Sequence, residues 1–371
     1  MIAADRPVQR PRNARMLVVD AGGRIRHAFR SRFIDLLRPG DLLVANDAAT
    51  LPASLHGVHL RSGDSIEVRL AGRPSVALDD VQTFSALVFG TGDFRTRTED
   101  RPLPPSLETG DRVEFGSVGK LTATIEGFFD HPRLVALRFG GSAGDVWSGL
   151  ARHGRPIQYA HMPAALELWD VWTPIAAMPV AFEAPSATFA VDWRLIGALR
   201  ARGIGFQTIT LAAGLSSTGD SELDKRLPLD EPYRIPENTA HAIRLCRTRG
   251  GRVVAAGTTV VRALEHSASV HGHVRAGDGL ATQRVGPASQ LRIVDAILSG
   301  THEPGVSHFE LLRAFADDDT LAAVTAELEA FGYRTHEFGD SVFIEQIANR
   351  NLTRSDAALE TTVPALTSLL M

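Results

Sequence analysis

The sequence has one cysteine in 371 residues and no long apolar run. With Cys246 alone, no disulfide can form within the chain, which favours a reducing compartment that we expect to be the cytoplasm. No apolar stretch approaches the roughly 18 residues needed to cross a membrane. The N-terminal stretch also lacks the apolar core of a secretory signal. These absences argue against a secreted or membrane protein.

Lysine is scarce as well. Only Lys120 and Lys225 are lysines, so 37 of the 39 basic residues are arginines. The formal net charge of −4 excludes a generally basic surface for nucleic acid. Any RNA contact must therefore come from a local patch of arginines, although solvated helix faces are the simpler interpretation of such clusters. The sequence predicts no protein partner.

Hydrophobic residues make up 44% of the chain and charged residues 22%, which is typical of a globular enzyme or binding protein. The length predicts two or three domains.

The most informative stretch is Arg252–Ser267, RVVAAGTTVVRALEHS. Its first half predicts a short buried strand, and apolar residues then repeat at helical spacing. Gly257-Thr258-Thr259 lies at the turn between them. Such a turn places free N–H groups and hydroxyls at the carboxyl edge of a sheet, where ligands bind in open α/β folds. The alternative is that Thr258 or Thr259 only caps the helix.

A second buried strand, Asp41–Asn46, ends in Asn46-Asp47, which predicts either a ligand contact or a simple turn. From about residue 51 to residue 139, short segments alternate with period two between turn residues, which indicates a small antiparallel barrel or sandwich. Strand–helix units lie on both sides of this block. We therefore predict an α/β fold with a discontinuous α/β domain (1–50 and 156–345), an inserted small antiparallel β-barrel domain (51–155) and a C-terminal tail (346–371).

Several irregular stretches carry further expectations. We expect the Pro- and Arg-rich start to be disordered and Gly272–Pro287 to be a surface loop. Leu291–Leu298 is predicted as a buried strand that contains Asp295. Ser307 and Glu310 fit a capping box.

In order along the chain, several segments resemble the S-adenosylmethionine:tRNA ribosyltransferase-isomerase family of queuosine biosynthesis. The segments are LLRPGDLLVANDAATLPASL (Leu36–Leu55), Ala184-Pro185, GGRVVAAGTTVVRALE (Gly250–Glu265), LRIVDAILSGTHEP (Leu291–Pro304), Leu311–Ala316 and FGDSVFI (Phe338–Ile344). They fall within roughly residues 16–345. The resemblance implies an α/β domain with an inserted closed barrel, and it identifies the chain as a divergent member.

The resemblance also implies an activity. The family transfers the ribosyl part of S-adenosylmethionine to a 7-aminomethyl-7-deazaguanine base in tRNA and isomerises the sugar, while adenine and methionine leave. S-adenosylmethionine is thus a co-substrate, tRNA is the partner, and no metal is required. The chemistry needs a base to remove a proton next to the sulfonium and groups that stabilise the departing adenine.

The resemblance implies site residues at the retained polar positions. The catalytic candidates are Asp47, Asp295 and His302, and the candidates for binding S-adenosylmethionine are Asn46, Gly257, Thr258, Thr259, Arg262, Glu265 and Asp340. We expect the retained groups to converge on one cleft. Because Arg262 and Glu265 are three residues apart on a predicted helix, they could instead pair only with each other.

The chain departs from the family pattern at several strand ends. A histidine in the family's Pro-Thr-Ala-Gly-Leu-His-Phe run is replaced by Ala190, and a strand that ends in histidine in the family runs here into Ala212-Ala213-Gly214. The Thr-Arg pair expected after Asp47 is Ala48-Ala49. These losses leave two alternatives open: a paralogue that uses S-adenosylmethionine or a nucleoside with another acceptor, and a non-catalytic binding protein on the same scaffold.

Overall fold

The structure, a computed structural model, describes residues 1–347. Within them the strands, numbered in chain order, are β1 (Ile2–Ala3), β2 (Arg15–Val19), β3 (Ile25–Phe29), β4 (Leu42–Asn46), β5 (Ala48–Thr50), β6 (Ser54–His59), β7 (Ser65–Gly72), β8 (Thr83–Phe89), β9 (Arg112–Phe115), β10 (Leu121–Phe128), β11 (Leu134–Phe139), β12 (Gly154–Arg155), β13 (Met178–Ala181), β14 (Gly205–Leu211), β15 (Glu231–Ile235), β16 (Val253–Ala256), β17 (Gly277–Ala281), β18 (Ala296–Gly300), β19 (Arg334–Thr335) and β20 (Ser341–Glu345).

The α-helices of the same residues are α1 (Ala143–His153), α2 (Leu168–Val171), α3 (Trp193–Ala201), α4 (Ser221–Asp224), α5 (Glu237–Thr248), α6 (Thr258–His271), α7 (Ser307–Leu312) and α8 (Asp318–Ala330), and 3-10 turns cover Arg30–Leu36, Thr98–Asp100 and Ser186–Ala190. No helix in this part of the chain is long and apolar enough to cross a membrane. Most of the predicted C-terminal tail lies outside the described residues.

A nine-stranded sheet in the order β17-β15-β14-β4-β16-β18-β20-β2-β3 forms the larger layer. Its centre, β14, β4, β16 and β18, is parallel. Strands β4, β16 and β18 are buried along their whole length and are mostly apolar, as expected where both faces of a sheet are covered. In β16, for example, Val253 and Ala255 pack into the core under α5 and α6, whereas Val254 and Ala256 pack on the opposite side with α3. The predicted strands Asp41–Asn46 and Arg252–Ala256 are thus neighbours in one sheet.

A closed antiparallel barrel forms the second layer. Strands β6, β7, β8, β11, β10 and β9 pair in that order, and a β6–β9 pairing closes the ring. The predicted α/β fold with a small antiparallel barrel is therefore confirmed. Phe84, Phe115 and Phe139 meet edge-on or tilted inside the barrel. The barrel core continues without a break into the core on one face of the large sheet. The predicted division into domains at residues 51 and 155 stays a prediction.

Four local expectations were wrong. The N-terminal segment is ordered: β1 pairs with β19, and Arg10 is buried. Within the expected loop Gly272–Pro287, β17 pairs with β15 and extends the sheet. This Gly-rich edge strand has no apolar period by which it could be predicted. The strand predicted over Leu291–Leu298 begins only at Ala296. Ser307 makes no capping box, because the residue that caps α7 is Val306.

Candidate functional site

A cavity of about 420 Å³ opens at the carboxyl edge of the parallel strands. Gly257, Thr258 and Thr259 after β16, Arg262 on α6 and His302 after β18 all line it. These five predicted residues are therefore brought together at the edge where ligands bind in open α/β sheets. The volume falls within the range of about 300–1,000 Å³ that is typical of small-molecule sites.

The N-terminus of α6 points at this cavity without a side-chain cap. Gly257 is the N-cap residue with φ 105°, a left-handed conformation that favours glycine, and its N–H donates to Leu298 O at 2.8 Å. Thr258 and Thr259 follow inside the helix, so neither of them is the cap. Because no side chain caps this terminus, its positive end remains available to a polar or anionic group.

Arg262 crosses from α6 to the neighbouring strands. Its guanidinium forms a buried ion pair with Glu231 at the start of β15 and donates to Ala281 O at 2.9 Å. Glu231 in turn accepts from Gly214 N at 2.8 Å. Arg262 thus fixes the wall of the cavity, and its charge is neutralised there. It does not pair with Glu265.

Two stacked imidazoles form another part of the lining. His302 and His308 lie with ring centroids 4.8 Å apart and an interplanar angle of 13°. Ser299 Oγ lies 3.0 Å from His302 Nε2. Burial, with the nearby His308 and Arg10, lowers the pKa of His302 well below its usual range. Burial and the charge of Arg262 lower the pKa of His308 to about 4, so both rings are neutral at pH 7.

A third group consists of His161, His336 and Glu337. Nε2 of His161 lies 3.1 Å from the Glu337 carboxylate. Burial alone raises the pKa of Glu337, but the hydrogen bond and charge of His161 outweigh it and lower that pKa. The potential donor atoms of the three side chains lie within 4.8 Å of one another.

The ring geometry of this group does not favour a metal ion. The rings of His161 and His336 are stacked, with centroids 4.1 Å apart and an interplanar angle of 17°. A metal ion must lie in the plane of each imidazole that binds it, and two nearly parallel planes this far apart share no such point. The arrangement instead suits a hydrogen-bonded His161–Glu337 pair.

Glu183 and Tyr159 complete the lining. The Tyr159 hydroxyl donates to Glu183, and Ser216 N donates to the same carboxylate at 3.1 Å. Burial, followed by the negative charge of Glu337, raises the pKa of Glu183 to about 7. Burial and Glu183 together raise the pKa of Tyr159 well above its usual value, so the phenol stays protonated.

Two predicted residues lie near this edge but outside the cavity lining. The side-chain amide of Asn46 donates to Leu211 O and accepts from Leu211 N, both at 3.0 Å, and its Nδ2 also donates to the Thr259 hydroxyl at 3.4 Å. Asp47 accepts from Thr210 Oγ1 at 2.6 Å. Burial raises the pKa of Asp47 despite the opposing hydrogen bond from Thr210. Both side chains thus join neighbouring strands, and the catalytic role of Asp47 stays a prediction.

Asp295 lies at the opposite edge of the sheet. Because β18 begins one residue after it, Asp295 precedes the strand, and its carboxylate accepts from Val253 N at 2.8 Å. Burial raises its pKa, while that hydrogen bond and the charge of Arg247 oppose the shift. The predicted catalytic role therefore finds no support in this position.

Glu265 and Asp340 also lie outside the lining. Glu265 is buried and accepts from three successive backbone N–H groups, those of Arg292, Ile293 and Val294, at 2.8–3.0 Å. Asp340 binds the backbone and guanidinium of Arg15 at 2.9 and 2.8 Å. These are structural contacts, so the predicted single cleft contains only part of the predicted set.

The structure shows where the positions of the replaced histidines lie relative to the cavity. Ala190 and Ala212 are buried in the two cores and do not line the cavity, whereas Ala213 and Gly214 of the same strand end do line it. The imidazoles of the cavity come from other segments and are His161, His302, His308 and His336. The departures in the motifs therefore do not leave the cavity without acid–base groups.

Sequence reasoning missed His336, Glu337 and Arg10 because it considered only the ends of parallel strands. β20 runs antiparallel to β18, so the chain that enters it arrives at the same edge at which β18 ends. Arg10, which precedes β2, donates to Gly339 O at 3.1 Å and to Ser186 O. One signal in the sequence could have found two of them, because His336 and Glu337 come directly before the segment Phe338–Ile344 that resembles the family.

Comparisons with known proteins identify the family of this chain. A family model described as "Queuosine biosynthesis protein" matches residues 1–344. A relative from Citrifermentans bemidjiense, named S-adenosylmethionine:tRNA ribosyltransferase-isomerase, is 32% identical over 355 residues, which cover 92% of this chain and 96% of the relative. A relative of the same name from Gluconacetobacter diazotrophicus is 32% identical over 93% of each chain.

One solved structure is also similar, the crystal structure of S-adenosylmethionine tRNA ribosyltransferase from Thermotoga maritima. It is 24% identical with a TM-score of 0.48, and the match covers 92% of this chain and 96% of that one. From the match over residues 1–344 and the identity to the curated relatives, the chain belongs to the queuosine biosynthesis protein family.

Proposed function

We propose that the protein transfers the ribosyl moiety of S-adenosylmethionine to 7-aminomethyl-7-deazaguanine in tRNA and isomerises it. Family membership and the names of the curated relatives support this activity. The observation that carries it is that Gly257–Thr259, Arg262 and His302, from separate segments, line one cavity at the carboxyl edge. S-adenosylmethionine acts there as a co-substrate.

The uncapped start of α6 supports a site for the nucleoside half of this substrate. The hydroxyls of Thr258 and Thr259 and the free N–H groups of the first turn offer hydrogen bonds to the polar groups of adenosine. Arg262 holds this wall through Glu231. Its own charge is already neutralised, so it acts by positioning the wall.

The charges around the cavity suit a cationic ligand. The imidazoles of His302 and His308 are neutral at pH 7, whereas Glu183 and Glu337 carry or share negative charge. S-adenosylmethionine carries a positive sulfonium. Its positive charge therefore enters a cavity that has acidic groups and whose two lining arginines, Arg97 and Arg262, are paired with Glu99 and Glu231.

His302 is placed to assist the departure of adenine. Ser299 occupies the Nε2 side of the ring and leaves Nδ1 to a ligand. A neutral imidazole that carries its hydrogen on Nδ1 can donate a hydrogen bond to the departing adenine, and it does so without a positive charge of its own beside the sulfonium. We assign His302 this role in place of the wider catalytic set predicted from the sequence.

A paralogous activity on another acceptor is the second candidate. It is favoured by the segments from which the imidazoles of the cavity come. His161, His308 and His336 do not occupy the positions of the family histidines, which are lost at Ala190 and at the strand end that begins with Ala212. The nucleoside half of the site is common to both candidates, and only the acceptor differs.

Adenine release tests the proposal. The protein is incubated with S-adenosylmethionine and with tRNA that carries the 7-aminomethyl-7-deazaguanine base, and free adenine is measured by chromatography. The control is the same tRNA with unmodified guanine. We expect adenine only with the modified tRNA. Release that ignores the tRNA favours another acceptor, and no release with any tRNA contradicts a catalytic role.

The tRNA partner has its own test, because a local arginine patch must hold the phosphates despite the net charge of −4. Binding to phosphates releases counterions, so we expect tRNA affinity to fall at least about tenfold between about 50 and 200 mM salt. Filter binding or fluorescence anisotropy measures it. An affinity that does not change with salt contradicts phosphate recognition. A tRNA substrate would support the cytoplasmic location that the single cysteine predicts.

A further inference from the structure

Glu183 occupies an unusual position among the carboxylates of the cavity. It follows β13, whose continuation is held by Phe182 N donating to Ala213 O at 2.8 Å, so its backbone is fixed against the loop after β14. The side chain lies deep in the protein yet keeps part of its surface open to the cavity. A ligand in the cavity can therefore reach the carboxylate.

The partners of Glu183 are all uncharged. Within residues 1–347, its hydrogen bonds come from the Tyr159 hydroxyl and from Ser216 N, and no arginine, lysine or histidine pairs with it. The other enclosed carboxylates nearby have cationic partners: Glu231 pairs with Arg262, and Glu337 with His161. A buried carboxylate without a counter-ion is costly unless it binds a proton or a cation.

Tyr159 fixes the direction of this carboxylate. Its hydroxyl lies within hydrogen-bonding distance of Glu183 and 3.1 Å from Ser217 O, and its ring packs 5.6 Å from the Arg69 guanidinium. Arg69 is itself tied to Glu67 at 2.7 Å in the buried wall of the barrel. The phenol is thus anchored from two sides. Both hydrogen bonds to Glu183 go to Oε1, so within residues 1–347 Oε2 has no hydrogen-bond partner.

We propose that Glu183, positioned by Tyr159, is the base that removes the proton from the 5′ carbon of S-adenosylmethionine. This inference rests on the proposed function. The sulfonium acidifies the three carbons bonded to sulfur, and only the 5′ carbon belongs to the ribosyl group that is transferred. The sulfonium also supplies the positive charge that Glu183 lacks, so the substrate brings its most acidic C–H bonds to an enclosed carboxylate that has no counter-ion of its own.

The proton transfer is balanced without any further reagent. Glu183 forms an O–H bond as the 5′ C–H bond breaks, and the electron pair of that bond stays on the carbon next to the positive sulfur. The carboxylate becomes neutral, and in the deprotonated substrate the negative charge on carbon balances the positive charge on sulfur, so no net charge is left on the reacting groups. A carboxyl group whose pKa lies near 7 is suited to accept such a proton and to release it later.

The test compares Glu183→Gln and Glu183→Asp with the wild type. Three quantities are measured: S-adenosylmethionine affinity by calorimetry, adenine release with modified tRNA, and deuterium incorporation at the 5′ carbon when protein and S-adenosylmethionine are incubated in D₂O. For Glu183→Gln we expect both the release and the exchange to fall at least about 100-fold, the range for loss of a general base. Affinity should change by less than about tenfold, and Asp should restore part of the activity.

Tyr159→Phe and Glu126→Gln complete the design. Tyr159→Phe removes a hydrogen bond to the charged carboxylate, so the pH limb assigned to Glu183 should move to higher pH. Glu126 is an exposed barrel residue paired with Arg138, and its change to Gln should leave all three quantities unchanged.

The outcomes separate the two proposals. Glu183→Gln with wild-type release and exchange overturns the role of Glu183 and leaves the proposed function intact. Exchange that depends on Glu183, without adenine release on modified tRNA, supports Glu183 and contradicts the acceptor. Wild-type protein that shows neither exchange nor release contradicts both.

Discussion

The two edges of the large sheet both collect charged residues, but they use them differently. At the amino edge, Arg252 contacts Asp41 at 2.6 Å and also pairs with Glu345, while Asp295 lies 3.6 Å from Arg247. Each of these charges has an opposite charge beside it. At the carboxyl edge, by contrast, Glu183 has only neutral partners.

This difference separates structural from functional polarity at strand ends. A charge that is paired with an opposite charge is neutralised within the protein and is not available to a ligand. A charge without such a partner is stable only where a cavity gives it access to solvent, protons or substrate. Asp295 looked catalytic in the sequence because it is a carboxylate in an apolar segment. Its contacts with Val253 N and Arg247 instead suit a structural role.

The largest expected effect is at the amino edge. Arg252→Leu leaves the buried Asp41 carboxylate and Glu345 without their cation. We expect the free energy of unfolding to fall by about 3 kcal/mol or more, the usual result of breaking a buried pair. Urea denaturation measures it. S-adenosylmethionine affinity of the folded variant should be unchanged, and a stability equal to that of the wild type contradicts the account of this edge.

At the carboxyl edge we expect a substitution to increase the stability of the protein instead of lowering it. Burial raises the pKa of Glu183 from 4.5 to about 7, so the folded state binds more protons than the unfolded one between these values. The cost of the ionised group therefore appears as pH rises through this window and is complete above about pH 7. Glu183→Gln removes this cost and should stabilise the protein by about 2–3 kcal/mol at about pH 8.

The same substitution should have little effect on stability at about pH 4, where the carboxyl group is largely protonated in both states. Thermal denaturation of the variant and the wild type at both pH values measures this difference. Equal stabilisation at both pH values points to packing and not to charge.

The next effect concerns ligand binding. Thr258→Val combined with Thr259→Val removes two hydroxyls from the start of α6 while keeping β-branched side chains of similar shape. We expect the free energy of S-adenosylmethionine binding to weaken by roughly 1–3 kcal/mol, the cost of unpaired buried polar partners. Calorimetry measures it, and circular dichroism checks the fold. Unchanged affinity contradicts a nucleoside site at α6.

The smallest effect is predicted for Asp295→Asn. The amide keeps an acceptor for Val253 N and loses only the long, partly exposed contact with Arg247. We expect a loss of at most about 1 kcal/mol in stability and no change in adenine release. A loss of turnover in a folded variant restores Asp295 to the catalytic set.

Much of the fold could be predicted because its signals are local. The β16–α6 unit, the strand before Asn46 and the alternating barrel strands each carry their own apolar period. β17 could not be predicted, since Gly277–Ala281 is a Gly-rich edge strand whose only support is pairing with β15. The order of the N-terminal segment likewise depends on a distant partner, β19.

The residues of the site could also be predicted only where the signal was local. Gly257–Thr259 and His302 follow parallel strands, so the chain direction alone places them at one edge. Glu183 and Tyr159 come from irregular stretches and meet only through tertiary packing. No spacing in the sequence relates them, and the absence of a counter-ion for Glu183 is visible only when all its neighbours are known.

A crystal structure of the protein with bound S-adenosylmethionine tests the central claim most directly. The quantity to measure is the distance from the 5′ carbon to the nearer carboxylate oxygen of Glu183. We expect the ligand in the cavity at the start of α6, with this distance at about 3–3.5 Å, as a reactive geometry requires. A ligand bound at the amino edge, or one in the cavity with its sulfonium turned away from Glu183, would contradict the account.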